Sequence, residues 1–350
     1  MIERIKYKNT INRKNIVYID VRSPKEYNED TIPEAINIPV LDDNEREKIG
    51  YTYNHISKEK AQRMGLEYAS KKLVNYYDKV KEILKEDKVV ILFCYRGGMR
   101  STSIAQILDI MNLPIYIIDG GYKEYRNFVI NHLKNYKNKF KYIVLHGYTG
   151  VGKTKALVNL QNKGHGILDL ENMAQNSGSV FGNIFYNNPS NGQKKFESLL
   201  LDKFMNLKEK YIFVESESKR IGNAIMPDFL YNDIQNGYHV LLSTHIDNRV
   251  DIIAEDYLNN KFNNTELVIN AIRKLKKRLG KENVQKLEEE FLKNNYKYVI
   301  KELMLNYYDP LYDYSINKIN KYNTKIYYEE ENQLVEKLIN FKENIKGEIT

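Results

Sequence analysis

Cysteine is nearly absent from this chain: 350 residues hold one, Cys94. A lone cysteine excludes an internal disulfide. The six histidines show no paired metal-ligand spacing, so neither a metal site nor a metal cluster is expected. Long apolar runs are missing as well. The longest are strand-sized, which excludes a membrane-spanning helix and leaves no membrane partner to expect. Met1 to Thr10 is polar and charged rather than a secretory leader, and with the cysteine usage this makes a cytoplasmic location the expectation. No internal repeat or low-complexity segment stands out.

What is present suffices for cores. A hydrophobic content of 42% excludes a wholly disordered chain, and the length favours two domains. The formal net charge of +8 suits a polyanionic partner. Lysine, asparagine, isoleucine and tyrosine are abundant together, however, the bias of an A+T-rich genome, so charge alone gives only a lean toward nucleic acid.

Along the chain, strand and helix signals alternate. Strands are expected at Ile16–Asp20, Ala35–Ile38, Lys88–Phe93 and Pro114–Ile118. A capped short helix is expected at Ser23-Pro24-Lys25-Glu26, and long helical patterning over Lys58–Glu86. Such alternation implies a doubly wound parallel α/β unit over 1–132. The polar, basic stretch Asn131–Lys141 reads as a connection. A second α/β series over 140–264 has strands near Tyr142–His146, Gly166–Leu170, Tyr211–Glu215 and Tyr238–Thr244. The remainder, 265–350, is read as a mainly helical extension, with Leu267, Ala271, Leu275 and Leu279 spaced four apart before Gly280.

Cys94 sits where the apolar run Lys88–Phe93 stops and Tyr95-Arg96-Gly97-Gly98-Met99-Arg100-Ser101 begins, followed by a helical pattern. A thiol there meets backbone N–H groups, a helix N-terminus and two guanidinium groups, surroundings that favour a thiolate nucleophile. Arg96, Gly97, Gly98, Arg100 and Ser101 are the candidate anion-binding set around it. For Arg100 the alternative is a pair with a structural carboxylate such as Asp20. The Cys-x5-Arg spacing is also that of cysteine phosphatases, although Phe93 stands where those enzymes usually carry His.

Gly147-Tyr148-Thr149-Gly150-Val151-Gly152-Lys153-Thr154 fits the Walker A pattern between a strand and a helix. Its glycines let backbone N–H groups converge on phosphate oxygens. Lys153 neutralises the outer phosphate, and Thr154 ligates Mg²⁺ if a metal accompanies it. Supporting carboxylates are expected at Glu215 and Glu217, which share a strand face, and at Asp169 and Glu171; the alternative for each pair is a solvated strand end. No Asp closes the Tyr211 strand, and no adenine or guanine recognition signal is visible. A nucleotide-dependent kinase or NTPase with a regulatory first module therefore stays open beside other diphosphate ligands.

Asp20-Val21-Arg22-Ser23-Pro24-Lys25-Glu26-Tyr27 followed by Ile32-Pro33-Glu34-Ala35-Ile36-Asn37-Ile38-Pro39 resembles the opening of a rhodanese domain, with Cys94 at the sulfur-carrying position. The loop from Cys94 to Arg100 is one residue longer than the usual rhodanese loop. A rhodanese domain with Cys-aromatic-Arg-Gly-Gly-x-Arg-Ser ahead of a P-loop is similar to the tRNA 2-selenouridine synthase family. Asn44–Gly50, Ala61–Leu66, Asp169-Leu170-Glu171, Gly178–Gly182, Glu215–Ser218, Ile221-Gly222 and Tyr308-Asp309-Pro310 agree with it. Gln175-Asn176-Ser177 departs where the family has His-Arg ahead of Gly-Ser; if that Arg contacts an anion in the family, either Arg220 or another cation substitutes here or the role is absent.

The resemblance implies an enzyme that replaces sulfur by selenium in wobble 2-thiouridine of tRNA, with selenophosphate as donor, through an S-geranyl intermediate made from geranyl diphosphate. No tightly bound cofactor is implied; tRNA is the macromolecular partner, and a selenophosphate-producing enzyme a candidate second one. The P-loop then holds diphosphate, while the Cys94 loop holds selenophosphate. Cys94 either carries selenium as a selenosulfide or attacks directly; with no second cysteine, a selenosulfide must discharge to substrate, a small thiol or another protein. The basic cluster Arg273, Lys274, Lys276, Lys277, Arg278 and Lys281 is the candidate for tRNA phosphates, against a merely solvated helix face. A non-enzymatic sulfur-relay carrier is the remaining alternative.

Overall fold

The computed structural model describes residues 2–11, 13–176, 190–259, 265–319 and 321–347, so the Gly178–Gly182 stretch lies outside the described residues. The chain forms two compact units: Met1–Asn135 with Gly192–Met205, and Tyr136–Asn191 with Asn206–Thr350.

In the first unit, β1 (Glu3–Ile5), β2 (Ile16–Asp20), β3 (Ile36–Asn37), β4 (Val89–Phe93) and β5 (Ile115–Ile118) form a parallel sheet in the order β1-β5-β4-β2-β3. The centre goes to β4, whose Val90 to Phe93 are wholly buried, as an unbroken apolar run in a parallel sheet requires. Helix α1 (Pro24–Glu29) starts with the expected capping box between Ser23 and Glu26. Helix α2 (Asp43–His55), which the periodicity did not reveal, opens on a second box between Asp42 and Glu45.

The long helical stretch is two helices, α3 (Lys58–Ser70) and α4 (Leu73–Leu84). At the break, the Lys72 ammonium is drawn to the Val40 carbonyl (3.1 Å) and the Glu45 carboxylate (2.5 Å). Helix α5 (Met99–Ile110) follows β4, and α6 (Gly121–Leu133) follows β5, occupying the start of the stretch read as a connection.

The helix Gln193–Asn206 belongs to this unit up to Met205, although it lies far along the chain. Asp30, buried, accepts hydrogen bonds from Tyr122 (2.7 Å) and from Ser198 (3.1 Å) of that helix. Arg126 adds an ion pair to Glu197 at 2.5 Å.

In the second unit, β6 (Lys141–His146), β7 (Ile167–Leu168), β8 (Tyr211–Glu215), β11 (Tyr238–Ser243) and β12 (Thr324–Tyr327) form a parallel sheet ordered β12-β11-β6-β8-β7. A two-strand ladder, β9 (Arg220–Ile221) with β10 (Ala224–Ile225), stands apart. β7 stops short of the expected Leu170 because the Asp169 carboxylate caps helix α8 (Leu170–Ala174), accepting from the Asn172 N–H at 2.9 Å. Helix α7 (Lys153–Asn162) follows the phosphate loop.

The region after Thr265 is mostly helical, with β12 as its one strand among the described residues. Its core is Val268, Ile272, Leu275, Leu287, Phe291 and Leu303. Leu267, expected on the buried stripe, is 50% exposed; Val268 and Ile269 take the inward positions instead. The closing helix Glu331–Gly347 buries Lys342, whose ammonium donates to both oxygens of Glu209 (2.7 and 2.8 Å) and meets His165 Nδ1 at 2.9 Å.

Candidate active site

Both glycine loops leave the carboxyl end of a central strand, where open parallel sheets bind their ligands. In the first unit, Cys94 is 3% exposed at the end of β4. Its sulfur accepts a hydrogen bond from the Ser101 hydroxyl at 3.2 Å, and the Gly98 carbonyl lies 3.8 Å away. The loop is clamped from outside. Tyr122 and Lys123 donate their N–H groups to the Cys94 and Tyr95 carbonyls, and Arg4 donates to the Gly97 carbonyl at 2.9 Å. Gly121 makes this possible: at φ +61, a Cβ there would lie 2.3 Å from the Cys94 carbonyl oxygen.

The structure separates the two loop arginines. Arg96 is exposed beside the Tyr95 ring. Arg100 turns back to grip Glu26 with both nitrogens, at 2.6 and 3.2 Å. Its carboxylate partner is thus Glu26, while Asp20 is held by Arg22 at 2.6 Å. Burial pushes the Glu26 carboxyl up, but the Arg100 bond and charge outweigh it and hold Glu26 below its ordinary value. Backbone N–H groups, Arg96 and Ser101 are what the loop itself offers an anion.

In the second unit the phosphate loop caps β6. Lys153 folds back on its own loop, donating to the Gly147 carbonyl at 2.9 Å. Gly150 has φ +77, and a Cβ would lie 2.8 Å from the Arg249 carbonyl oxygen. Arg249 is the main residue that local motif reading missed. It donates twice to the Thr149 carbonyl (3.0 and 2.9 Å) and bidentately to Asp309 (2.9 and 2.6 Å). Asp309 follows a single turn of π-helix, Met304–Tyr308, a geometry common at functional sites. Tyr148 donates to Asp313 at 2.6 Å; that bond, then burial, pushes its hydroxyl up to about 12. Val151 receives the Tyr328 hydroxyl at 3.0 Å.

The expected carboxylates divide. Glu171, Glu215 and Glu217 bring oxygens within 4.8 Å of one another, and Asp169, which caps helix α8, adds its charge to all three. Burial pushes Glu171 up to about 9, aided by the charges of Glu215 and Glu217. Glu217 rises to about 7, again by burial first and Glu215 second. Glu215 is also raised by burial, and its Oε1 is buried without a hydrogen-bond partner. Three crowded carboxylates beside Lys153 and Thr154 form a donor set of the hard-oxygen kind that suits a divalent cation.

A cavity of about 490 Å³ opens from this loop. Its lining is mixed: Lys153, Glu217, Arg220, Lys318, Asn176 and Gln235 contribute polar groups, and Ile221, Ile316 and Ile319 apolar ones, with His146 and three tyrosines among them. Arg220 is one of the exposed cations of this lining. The basic residues Arg273, Lys274, Lys276, Lys277, Arg278 and Lys281 lie elsewhere, all exposed, with Arg273 held by Glu288 at 2.8 Å.

Two family profiles match the chain: one described as the tRNA 2-selenouridine synthase AAA domain over residues 140–345, the other as a rhodanese-like domain over residues 4–128. A protein named tRNA 2-selenouridine synthase from Nitrosomonas europaea is 33% identical over 245 residues, 69% of this chain and 63% of that relative. Another of that name, from Hydrogenovibrio crunogenus, is 31% identical over 339 residues, 87% of this chain and 90% of the relative. A third, from Sulfurovum sp., is 30% identical over 332 residues, 87% of this chain and 90% of the relative. With one profile matched over more than half of the residues and a relative 31% identical over 87% of the chain, the chain belongs to the tRNA 2-selenouridine synthase family.

Proposed function

We propose that this protein converts wobble 2-thiouridine of tRNA to 2-selenouridine in two steps, S-geranylation from geranyl diphosphate and then selenium substitution from selenophosphate. The observation that carries the reading is the cavity at the phosphate loop. Beside the phosphate loop its lining includes Ile221, Ile316 and Ile319, apolar side chains that suit a branched hydrocarbon chain attached to a diphosphate.

In the first step the thiocarbonyl sulfur attacks the allylic carbon and the carbon–oxygen bond breaks toward diphosphate. The N–H groups of the loop from Gly147 to Thr154, with Lys153 released from the Gly147 carbonyl, would take up the charge that develops on the leaving oxygens. A divalent cation such as Mg²⁺, held by Glu171, Glu215, Glu217 and Thr154, would supply further positive charge. Arg249 acts indirectly: it fixes the Thr149 carbonyl and so the curvature of the loop.

In the second step the selenium of selenophosphate bonds to C2 as the geranylated sulfur leaves as a thiolate, and water then cleaves the P–Se bond, releasing inorganic phosphate and leaving selenium on C2. The Cys94 loop would hold the donor anion through its N–H groups, Arg96 and Ser101, with the Cys94 sulfur beside them. The exposed cluster from Arg273 to Lys281 would bind tRNA phosphates, and the wobble base, being single-stranded, can be splayed onto a tyrosine such as Tyr314. An enzyme that makes selenophosphate is the partner expected to supply the donor.

Nucleoside mass spectrometry tests this reading. Thiolated tRNA incubated with the protein, geranyl diphosphate and selenophosphate should yield 2-selenouridine, and only the S-geranyl nucleoside when selenophosphate is withheld. ATP or phosphoester hydrolysis with no modified nucleoside contradicts it.

A further inference from the structure

One wall of the cavity is a histidine whose protonation pattern is set by the fold. His146 ends β6, immediately before Gly147, and is 6% exposed. Its Nε2 lies 2.8 Å from Nδ1 of His239, and His239 Nε2 lies 3.0 Å from the Gln235 carbonyl oxygen. A carbonyl only accepts, so His239 carries a proton on Nε2, and in the single-proton form of that ring Nδ1 is bare and accepts. His146 must therefore donate from Nε2, which leaves its own Nδ1 as a bare lone pair.

Among the described residues no carboxylate bonds either ring, and none bonds His146 Nδ1. Burial, the neighbouring His239 and Lys153 all disfavour an imidazolium, lowering His146 to about 3. His146, a lining residue of the cavity next to the phosphate loop, thus has Nε2 engaged by His239 and Nδ1 left as an acceptor.

The alkylation proposed above needs such a group. A 2-thiouracil ring carries a proton on N3, and its S-alkylated product does not. We propose that His146 Nδ1 accepts that proton during S-alkylation, with His239 as the residue that fixes its tautomer. The sulfur–carbon bond forms as the carbon–oxygen bond of the prenyl diphosphate breaks, its electron pair leaving on the diphosphate. The N3–H proton passes to Nδ1, and the N–H electron pair becomes the C2–N3 double bond. No oxidant or reductant enters. Alkylation makes N3–H strongly acidic, so a weakly basic imidazole suffices. A neutral ring also adds no positive charge that would oppose Lys153 in binding the leaving diphosphate.

The inference rests on the alkylation reading, and the test separates the two. Single-turnover formation of the S-geranyl nucleoside is measured with full-length protein, thiolated tRNA and saturating geranyl diphosphate. His146→Phe should slow this step by about 100-fold or more while leaving the affinity for geranyl diphosphate within about threefold. His146→Gln, whose amide accepts a hydrogen bond but cannot hold the proton, should remain at least about tenfold slow, and covers the case in which the Phe variant does not fold. ¹⁵N spectra of the wild type should show His146 protonated at Nε2, and His239→Phe should disturb that tautomer. Wild-type rates in a folded His146 variant, or a proton resident on His146 Nδ1, overturn the inference alone. A wild type that forms no geranyl nucleoside overturns the alkylation reading beneath it.

Discussion

At the scale of single residues, the carboxylates beside Lys153 show how burial converts composition into chemistry. Glu171 sits at about 9 against an ordinary value of 4.5, so the folded protein holds a proton there that the unfolded chain has released. A group raised in this way gives its stability at low pH and loses it as pH climbs from about 4.5 to about 9. Glu171→Gln removes the titration. In chelator-treated protein it should raise Tm at pH 8 by about 5 °C and have little effect near pH 4.5. Equal Tm values for wild type and variant at pH 8 would mean that Glu171 is not crowded as described. Arg100 carries the complementary lesson. Its position suggested an anion ligand, yet Glu26 claims both of its nitrogens, and that partner lies 74 residues earlier.

At the scale of elements, the phosphate loop and the Cys94 loop were legible because their requirements are local. Each is a buried strand, glycines at a turn and a helix start, read directly from Lys88–Ser101 and Tyr142–Leu160. Their supports were not legible, because they are made by pairing between distant elements. His146 meets His239 across 93 residues through the β6–β11 register, and Arg249 meets Asp309 across 60. Tyr308-Asp309-Pro310 could be quoted as a motif without revealing what it holds. The helix Gln193–Asn206 is a similar case, since nothing in its own periodicity says that Ser198 will meet Asp30. Arg249→Ala should leave Asp309 unpaired and the Thr149 carbonyl unheld. Calorimetric titration should show geranyl diphosphate bound about tenfold more weakly, with Tm lowered; wild-type affinity would show that the loop keeps its shape without that clamp.

At the scale of the whole molecule, the proposed function assigns the phosphate loop to making the leaving group and the Cys94 loop to delivering its replacement. The substrate common to both is a polyanion, for which the exposed residues from Arg273 to Lys281 are the candidate contact. Replacing Lys274, Lys276 and Lys277 together by Ala should weaken tRNA binding and flatten its dependence on log salt by about one for each phosphate no longer neutralised. An unchanged salt slope would return that helix face to plain solvation.

The division of labour itself is tested most directly by where two variants stop. With thiolated tRNA, geranyl diphosphate and selenophosphate all present, Lys153→Ala should leave 2-thiouridine untouched, while Cys94→Ala should accumulate S-geranyl-2-thiouridine and form no 2-selenouridine. Geranyl nucleoside from the Lys153 variant, or selenouridine from the Cys94 variant, would contradict the account.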